Sequence, residues 1–240
     1  MKLGFSTLAL FMKSDDEIIE TAKKYGFDMI ELLAEDPFFD RDNSLFKDCG
    51  LDIRMHAATV DINIASLNRG IRRESIQQMI NCGRCAEKIG ARTITIHPGK
   101  IGRIDSRIRK YALEKSIEAI GEIIDNTCVE VSVENMPNRN SFLANTVDEL
   151  EDIQTATGCY LTIDVGHANT CDNLEGMLEL KNISYSHIHD NDGQKDQHIT
   201  LGDGTLDINY LKKIEYGVIE LNNFTNVLKS KKFLESLNFL

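Results

Sequence analysis

No stretch of this chain approaches the run of about 18 apolar residues that a bilayer crossing needs, so the sequence offers no membrane span. Basic side chains are in short supply. The 27 lysines and arginines face 38 aspartates and glutamates, giving a formal charge of −11. That balance gives no strong overall attraction for nucleic acid or an anionic membrane, although a local basic patch can coexist with an acidic surface. Linkers and low-complexity segments are also missing, so nothing marks an internal boundary, and one domain over residues 1–240 is expected. A hydrophobic content of 42% is ample for its core. The opening MKLGFSTLALFMKSDDE has only a short apolar run, broken by Lys13. It reads as a first strand rather than a signal peptide, and a cytoplasmic location is expected. Cysteines are few: Cys49, Cys82, Cys85, Cys128, Cys159 and Cys171. They are expected to be reduced and mostly buried, with the Cys82–Cys85 pair read as ordinary helix residues rather than a redox or zinc pair.

What is present alternates. Short β-branched runs predict strands over 2–6, 28–32, 52–56, 92–97, 129–134, 160–164, 184–189 and 217–221. Amphipathic stretches predict helices over 14–25, 44–48, 71–89, 106–125, 146–157, 173–180, 208–214 and 224–237. Ser14 with Glu17 three residues later makes a capping box, and Gly26, Gly50, Gly90 and Gly158 stand where a helix should stop. Eight β-then-α units point to an α/β protein, a single parallel eight-stranded (β/α)8 TIM barrel, since an open doubly wound sheet usually has five or six.

The strand ends carry the chemistry. In order they bring Ser6, Glu31, His56, His97, Glu134, Asp164 with His167 just beyond, then His187, His189 and Asp190, and finally Glu220. All six histidines fall at or after the ends of strands three, four, six and seven. In a barrel these ends meet around one mouth, where active sites of this fold are built. Convergent carboxylates without cations repel one another, whereas imidazole and carboxylate together bind zinc, manganese or iron. A divalent metal ion, zinc or manganese, is therefore expected. In the segment 187–198, His187 and His189 share a strand face, and Asp196 with His198 forms a chelating pair in the following loop. Gly202, Asp203 and Gly204 read as a turn rather than a phosphate cradle, because no lysine or arginine accompanies them.

The stretches GFDMIEL, MHAATVDINIAS, IGARTITIHPG, VSVENM, LTIDVGHA, SHIHDND, DQHITLGDG and VIEL, from residue 26 to 221, resemble the xylose-isomerase-like barrel superfamily. That superfamily includes sugar isomerases and epimerases and the endonuclease IV type of AP endonuclease (AP endonuclease family 2). Resemblance to the isomerases implies one metal on Glu134, Asp164, His187 and Glu220. It also implies that the two glutamates move a proton at the substrate carbon while His167 contacts a hydroxyl. Resemblance to the nucleases implies a three-zinc site on His56, His97, Glu134, Asp164, His167, His187, Asp196, His198 and Glu220. Those nucleases follow the first histidine with an aromatic and an aliphatic wedge, where this chain has Ala57, Ala58, Thr59 and Val60.

Two functions follow as expectations. The first is an isomerase or epimerase of a sugar or sugar phosphate, with Glu134 and Glu220 as the acid–base pair on opposite sides of the mouth. The second is a zinc-dependent phosphodiester hydrolase, the only case in which DNA is a partner. Lys100, Arg103 and Arg139, in loops after strand ends, are candidate phosphate contacts.

Overall fold

Alternation of side chains along the short apolar runs gives each one face for a barrel interior and one for a helical layer. All eight form strands in the computed structural model, which describes residues 1–240 apart from the side chain of Asp40. They are β1 Lys2–Ser6, β2 Met29–Leu33, β3 Asp52–His56, β4 Thr93–Ile96, β5 Glu130–Glu134, β6 Tyr160–Asp164, β7 Ile183–Ile188 and β8 Tyr216–Ile219. Neighbours pair in sequential order, all parallel, and β8 closes onto β1. The helices are α1 Asp15–Lys24, α2 Arg69–Ile89, α3 Ser106–Asp125, α4 Val147–Thr157, α5 Val165–Thr170, α6 Leu174–Leu178 and α7 Phe224–Ser236. Ser14 and Glu17 form the reciprocal capping box at the start of α1. Gly90 and Gly158 end α2 and α4 in the left-handed conformation, with φ of 73° and 72°. Among the described residues no helix is long and apolar enough to cross a membrane.

Three expected helices are shorter or tighter than the pattern suggested. The segments 44–48 and 208–214 are 3-10 turns, Ser44–Phe46 and Ile208–Lys213, and 173–180 contracts to α6. Conversely, α5 follows β6 without a loop, because the Asp164 carboxylate caps it by accepting the His167 backbone N–H at 2.7 Å. Strands β4, β7 and β8 also stop one residue before the histidine or glutamate expected to end them. His97, His189 and Glu220 thus stand just beyond the ladder.

The apolar core lies between the barrel and its helices, where outward residues such as Ile94, Ile96, Val133, Leu161 and Ile163 are buried against the helical layer. The barrel interior is largely polar. Arg54 and Thr93 lie near its floor, and Thr95, Thr162, Ser132 and Tyr185 form a hydrogen-bonded middle layer. His56, Glu134, Asp164 and His187 stand above it, each two residues after Arg54, Ser132, Thr162 or Tyr185 on the same strand face. Replacing Ile94 by Ala should remove about 2–5 kcal/mol of stability. Denaturant unfolding measures this, and an unchanged midpoint would place the main core elsewhere.

Candidate metal centre

The mouth of the barrel is built around Glu134, at the end of β5. One carboxylate oxygen, Oε2, lies 3.0 Å from His56 Nε2 and 3.0 Å from His97 Nε2. The other, Oε1, lies 3.2 Å from His187 Nδ1 and 3.4 Å from His167 Nδ1. Around His187 Nδ1 also stand Glu220 Oε2 at 3.4 Å and Asp164 Oδ2 at 3.8 Å. Farther along the mouth, Asp196 Oδ2 meets His167 Nε2 at 3.2 Å, and His189 and His198 stack with ring centroids 3.9 Å apart. His56 and His187 stack at 5.7 Å, so they lie at the same end of the barrel. All nine residues expected to bind metal are gathered here.

Ligand atoms fall into three groups, each within 4.8 Å: Glu134, Asp164, His187 and Glu220; His56, His97 and Glu134; and His167, His189, Asp196 and His198. The donor set, imidazole nitrogen with carboxylate oxygen, suits zinc or manganese. One oxygen supports that fit. Asp196 Oδ1 is buried and makes no hydrogen bond, yet it faces His198 Nε2 at 3.3 Å and His189 Nε2 at 3.6 Å. A cation shared among these three atoms would satisfy it.

Several supporting residues lie outside the nine expected ligands. His189 joins the third group, and Gly166 lies so close beneath its ring that a side chain there would collide with it. Asn135 holds Asp164 in place, accepting its N–H at 2.7 Å and donating to its carbonyl at 3.0 Å. Glu31, a strand-end residue given no role by the sequence, lies 2.7 Å from His187 Nε2. The glycine turn is a turn, as expected. Its Gly202, Gly204 and Leu206 N–H groups all donate to the Asp190 carboxylate at 3.0 Å, so the cradle holds the protein's own anion.

The mouth opens into a cavity of about 250 Å³. Leu8, Leu33, Met136, Pro137 and Phe142 form its apolar lining, and His56, His97, Glu134, His167, His198 and Glu220 line it as well. Of the three loop cations proposed as phosphate contacts, Arg139 lines this cavity, whereas Lys100 and Arg103 are exposed outside it. Lys100 is drawn away because its backbone bridges to Phe142 and accepts from Asn63. The cysteines form no disulfide, and Cys82 is packed in α2 against Met55.

A family model described as a xylose isomerase-like TIM barrel matches residues 19–233. The chain belongs to this family. Among relatives of its members, the uncharacterized protein MJ1614 of Methanocaldococcus jannaschii is 30% identical over 89% of this chain and 87% of its own length. A probable endonuclease 4 of Thermoplasma volcanium is 27% identical over 76% of this chain and 66% of that protein. Among solved structures, a D-tagatose 3-epimerase-like protein superposes with a TM-score of 0.86 at 26% identity, covering 98% of this chain and 96% of that one.

Charge at the mouth is balanced by proton uptake in the metal-free chain. Burial opposes charge on His56, but the hydrogen bond and charge of Glu134, with Glu31 and Glu220, carry it up to about 9. Burial is likewise outweighed at His198 by Asp196 and Glu220, to about 9, and at His167 by Asp164, Asp196 and Glu134, to about 10. Burial raises Asp164, yet His167 and His189 bring it down to about 2. For a raised imidazole the stabilisation is complete below the unfolded value of about 6.5 and is lost as pH climbs through the folded value. The melting temperature of chelator-treated protein should therefore fall between pH 7 and 10. A melting temperature that stays flat or rises over that interval would show that these imidazoles are not held as cations.

Proposed function

We propose that this chain is a divalent-metal-dependent isomerase or epimerase acting on a sugar or sugar phosphate. The observation that carries this reading is the approach of Glu134 and Glu220 to one point: their oxygens lie 3.2 and 3.4 Å from His187 Nδ1, beside a cavity of sugar size. The likeness to the D-tagatose 3-epimerase-like structure supports it.

Glu134, Asp164, His187 and Glu220 hold the ion, which when bound polarises the substrate carbonyl and acidifies the neighbouring C–H. Glu134 is held ionised in the metal-free chain. Burial disfavours its charge, but His187, His97 and His56 hold it well below the usual carboxylate range. One glutamate removes the proton and the other, approaching from another strand, returns one. Return to the opposite face of the same carbon gives an epimer, and return to the adjacent carbon, with the hydroxyl proton passed between the two oxygens, gives an aldose–ketose isomer. His167 and His198 contact substrate hydroxyls, and the apolar wall excludes water.

A specific observation favours a second reading. The two further ligand groups, His56–His97–Glu134 and His167–His189–Asp196–His198, exceed what one ion uses. A hydrolase of the endonuclease IV type would fill all three, and the probable endonuclease 4 relative belongs with that reading. Against it stand the net charge of −11 and a cavity in which, among the described residues, Arg139 is the one lining lysine or arginine.

The test joins a metal count to paired assays. E134Q and E220Q should lower turnover of ketose or aldose substrates by about 10²–10⁴-fold while the fold persists. H198A should keep the main ion and mainly raise KM, as when uniform substrate binding is weakened. Three tightly held zincs with nicking of abasic-site DNA, abolished in H198A, would establish the hydrolase instead.

A further inference from the structure

The histidines at the mouth are not all held alike. His56 donates Nδ1–H to the Ala57 carbonyl at 2.8 Å, His167 to that of Asn135 at 2.8 Å, and His198 to that of Glu220 at 3.0 Å. All three present Nε2 to the other ligand atoms. His187 is turned the other way. Its Nε2 meets the Glu31 carboxylate at 2.7 Å, and its Nδ1 faces Glu134, Glu220 and Asp164.

Glu31 is fully buried, and the same oxygen that meets His187 also accepts the Tyr185 hydroxyl. Tyr185 is tied in turn to Thr95, and Thr95 to Thr162, in the middle layer of the barrel. The second Glu31 oxygen has no hydrogen-bond partner. A buried carboxylate left half unsatisfied is costly unless a cation stands near it. The positive charge in direct contact with it is the His187 ring, with His56 acting from farther off.

A carboxylate behind an imidazole fixes its tautomer and increases electron density on the ligating nitrogen. A backbone carbonyl fixes the tautomer with a dipole alone. The His187 group also holds three carboxylates, Glu134, Asp164 and Glu220, whereas each of the other two holds one. We propose that Glu31 makes the His187 centre the tight, resident ion site, and that the two carbonyl-backed groups bind ions more weakly and exchange them. The inference rests on the metal-centre reading above. It makes Glu31 and Tyr185 positioning residues, acting through His187, and ranks three sites that share one mouth.

Titration of chelator-treated protein with Co2+ alone, followed by visible absorption and calorimetry, tests it without any activity assay. Wild-type protein should take its first Co2+ at least about tenfold more tightly than any later one. In E31Q the amide oxygen can still accept from both Tyr185 and His187 while the charge is removed. First-step affinity should then fall about 10–100-fold, with later steps changed less than about twofold. E31L should lose more and Y185F less. H97A and H198A should lose later steps and keep the first. Equal steps in wild type, or undiminished first-step affinity in E31Q, would overturn the ranking while leaving the metal centre standing. Wild-type protein that takes up no Co2+ would sink the metal-centre reading and this inference with it. Should E31L fail to fold by circular dichroism, E31Q and Y185F still decide the matter.

Discussion

Glu134 turns a collection of imidazoles into one site. It is buried, and a solitary carboxylate there would face a desolvation penalty of several kcal/mol. Instead its two oxygens are divided between two sets of rings, His56 and His97 on one side, His187 and His167 on the other. The dependence is mutual. Without Glu134, His56 and His187, stacked 5.7 Å apart, would meet as like charges whenever both were protonated. Because Glu134 belongs to two of the three ligand groups, nothing bound in one is electrostatically independent of the other.

The barrel beneath is arranged to support that mouth. Interiors of this fold are commonly filled by branched aliphatic side chains. Here the middle layer is a hydroxyl network of Thr95, Thr162, Ser132 and Tyr185, and the floor holds the buried Arg54, paired with Asp52 at 3.1 Å. The two-residue period explains why. Each strand face that ends in a ligand places the residue two positions earlier one layer down, where a hydroxyl can join a network that terminates on Glu31. Apolar packing is left to the opposite faces, against the helices.

The sequence revealed much of this because strand ends are a one-dimensional property. Alternation located eight strands to within a residue or two, and closure then brought every strand-end histidine to one place. Contacts across the barrel were less legible. Glu31 meets His187 because β2 and β7 face each other over the interior, and 156 residues separate them. Short elements were hidden for another reason. Asp164 ends β6 and caps α5 at once, so no turn residues separate strand from helix. In the loop 97–103, cationic residues mark exposure and nothing more. Whether Lys100 or Arg139 reaches the cavity depends on a backbone bridge between two loops, which composition does not record.

That bridge bears on what the cavity can select. Lys100 pairs with Phe142, Ile101 N–H donates to Ser141 at 2.7 Å, and Leu143 N–H donates to Gly99 at 3.2 Å, zippering the loops after β4 and β5 together. Arg109 clamps the second loop from behind, through Glu149 at 2.6 Å and the Asn140 carbonyl at 3.1 Å. Phe142, Met136 and Pro137 are therefore presented as a braced apolar part of a cavity that imidazoles and carboxylates also line. A sugar has the same two-sidedness, with C–H bonds on one face and hydroxyls around its edge. Such a wall reads the apolar face by shape and leaves each hydroxyl to a fixed polar partner, so a ligand turned over would bury hydroxyls against Phe142 without hydrogen bonds. The cost of that mismatch, about 1–3 kcal/mol for each unsatisfied group, is large enough to choose one orientation of a small ligand. For the proton transfer proposed here, orientation decides which carbon faces Glu134 and Glu220. On that proposal, the braced wall would help to set which carbon is presented to the two glutamates.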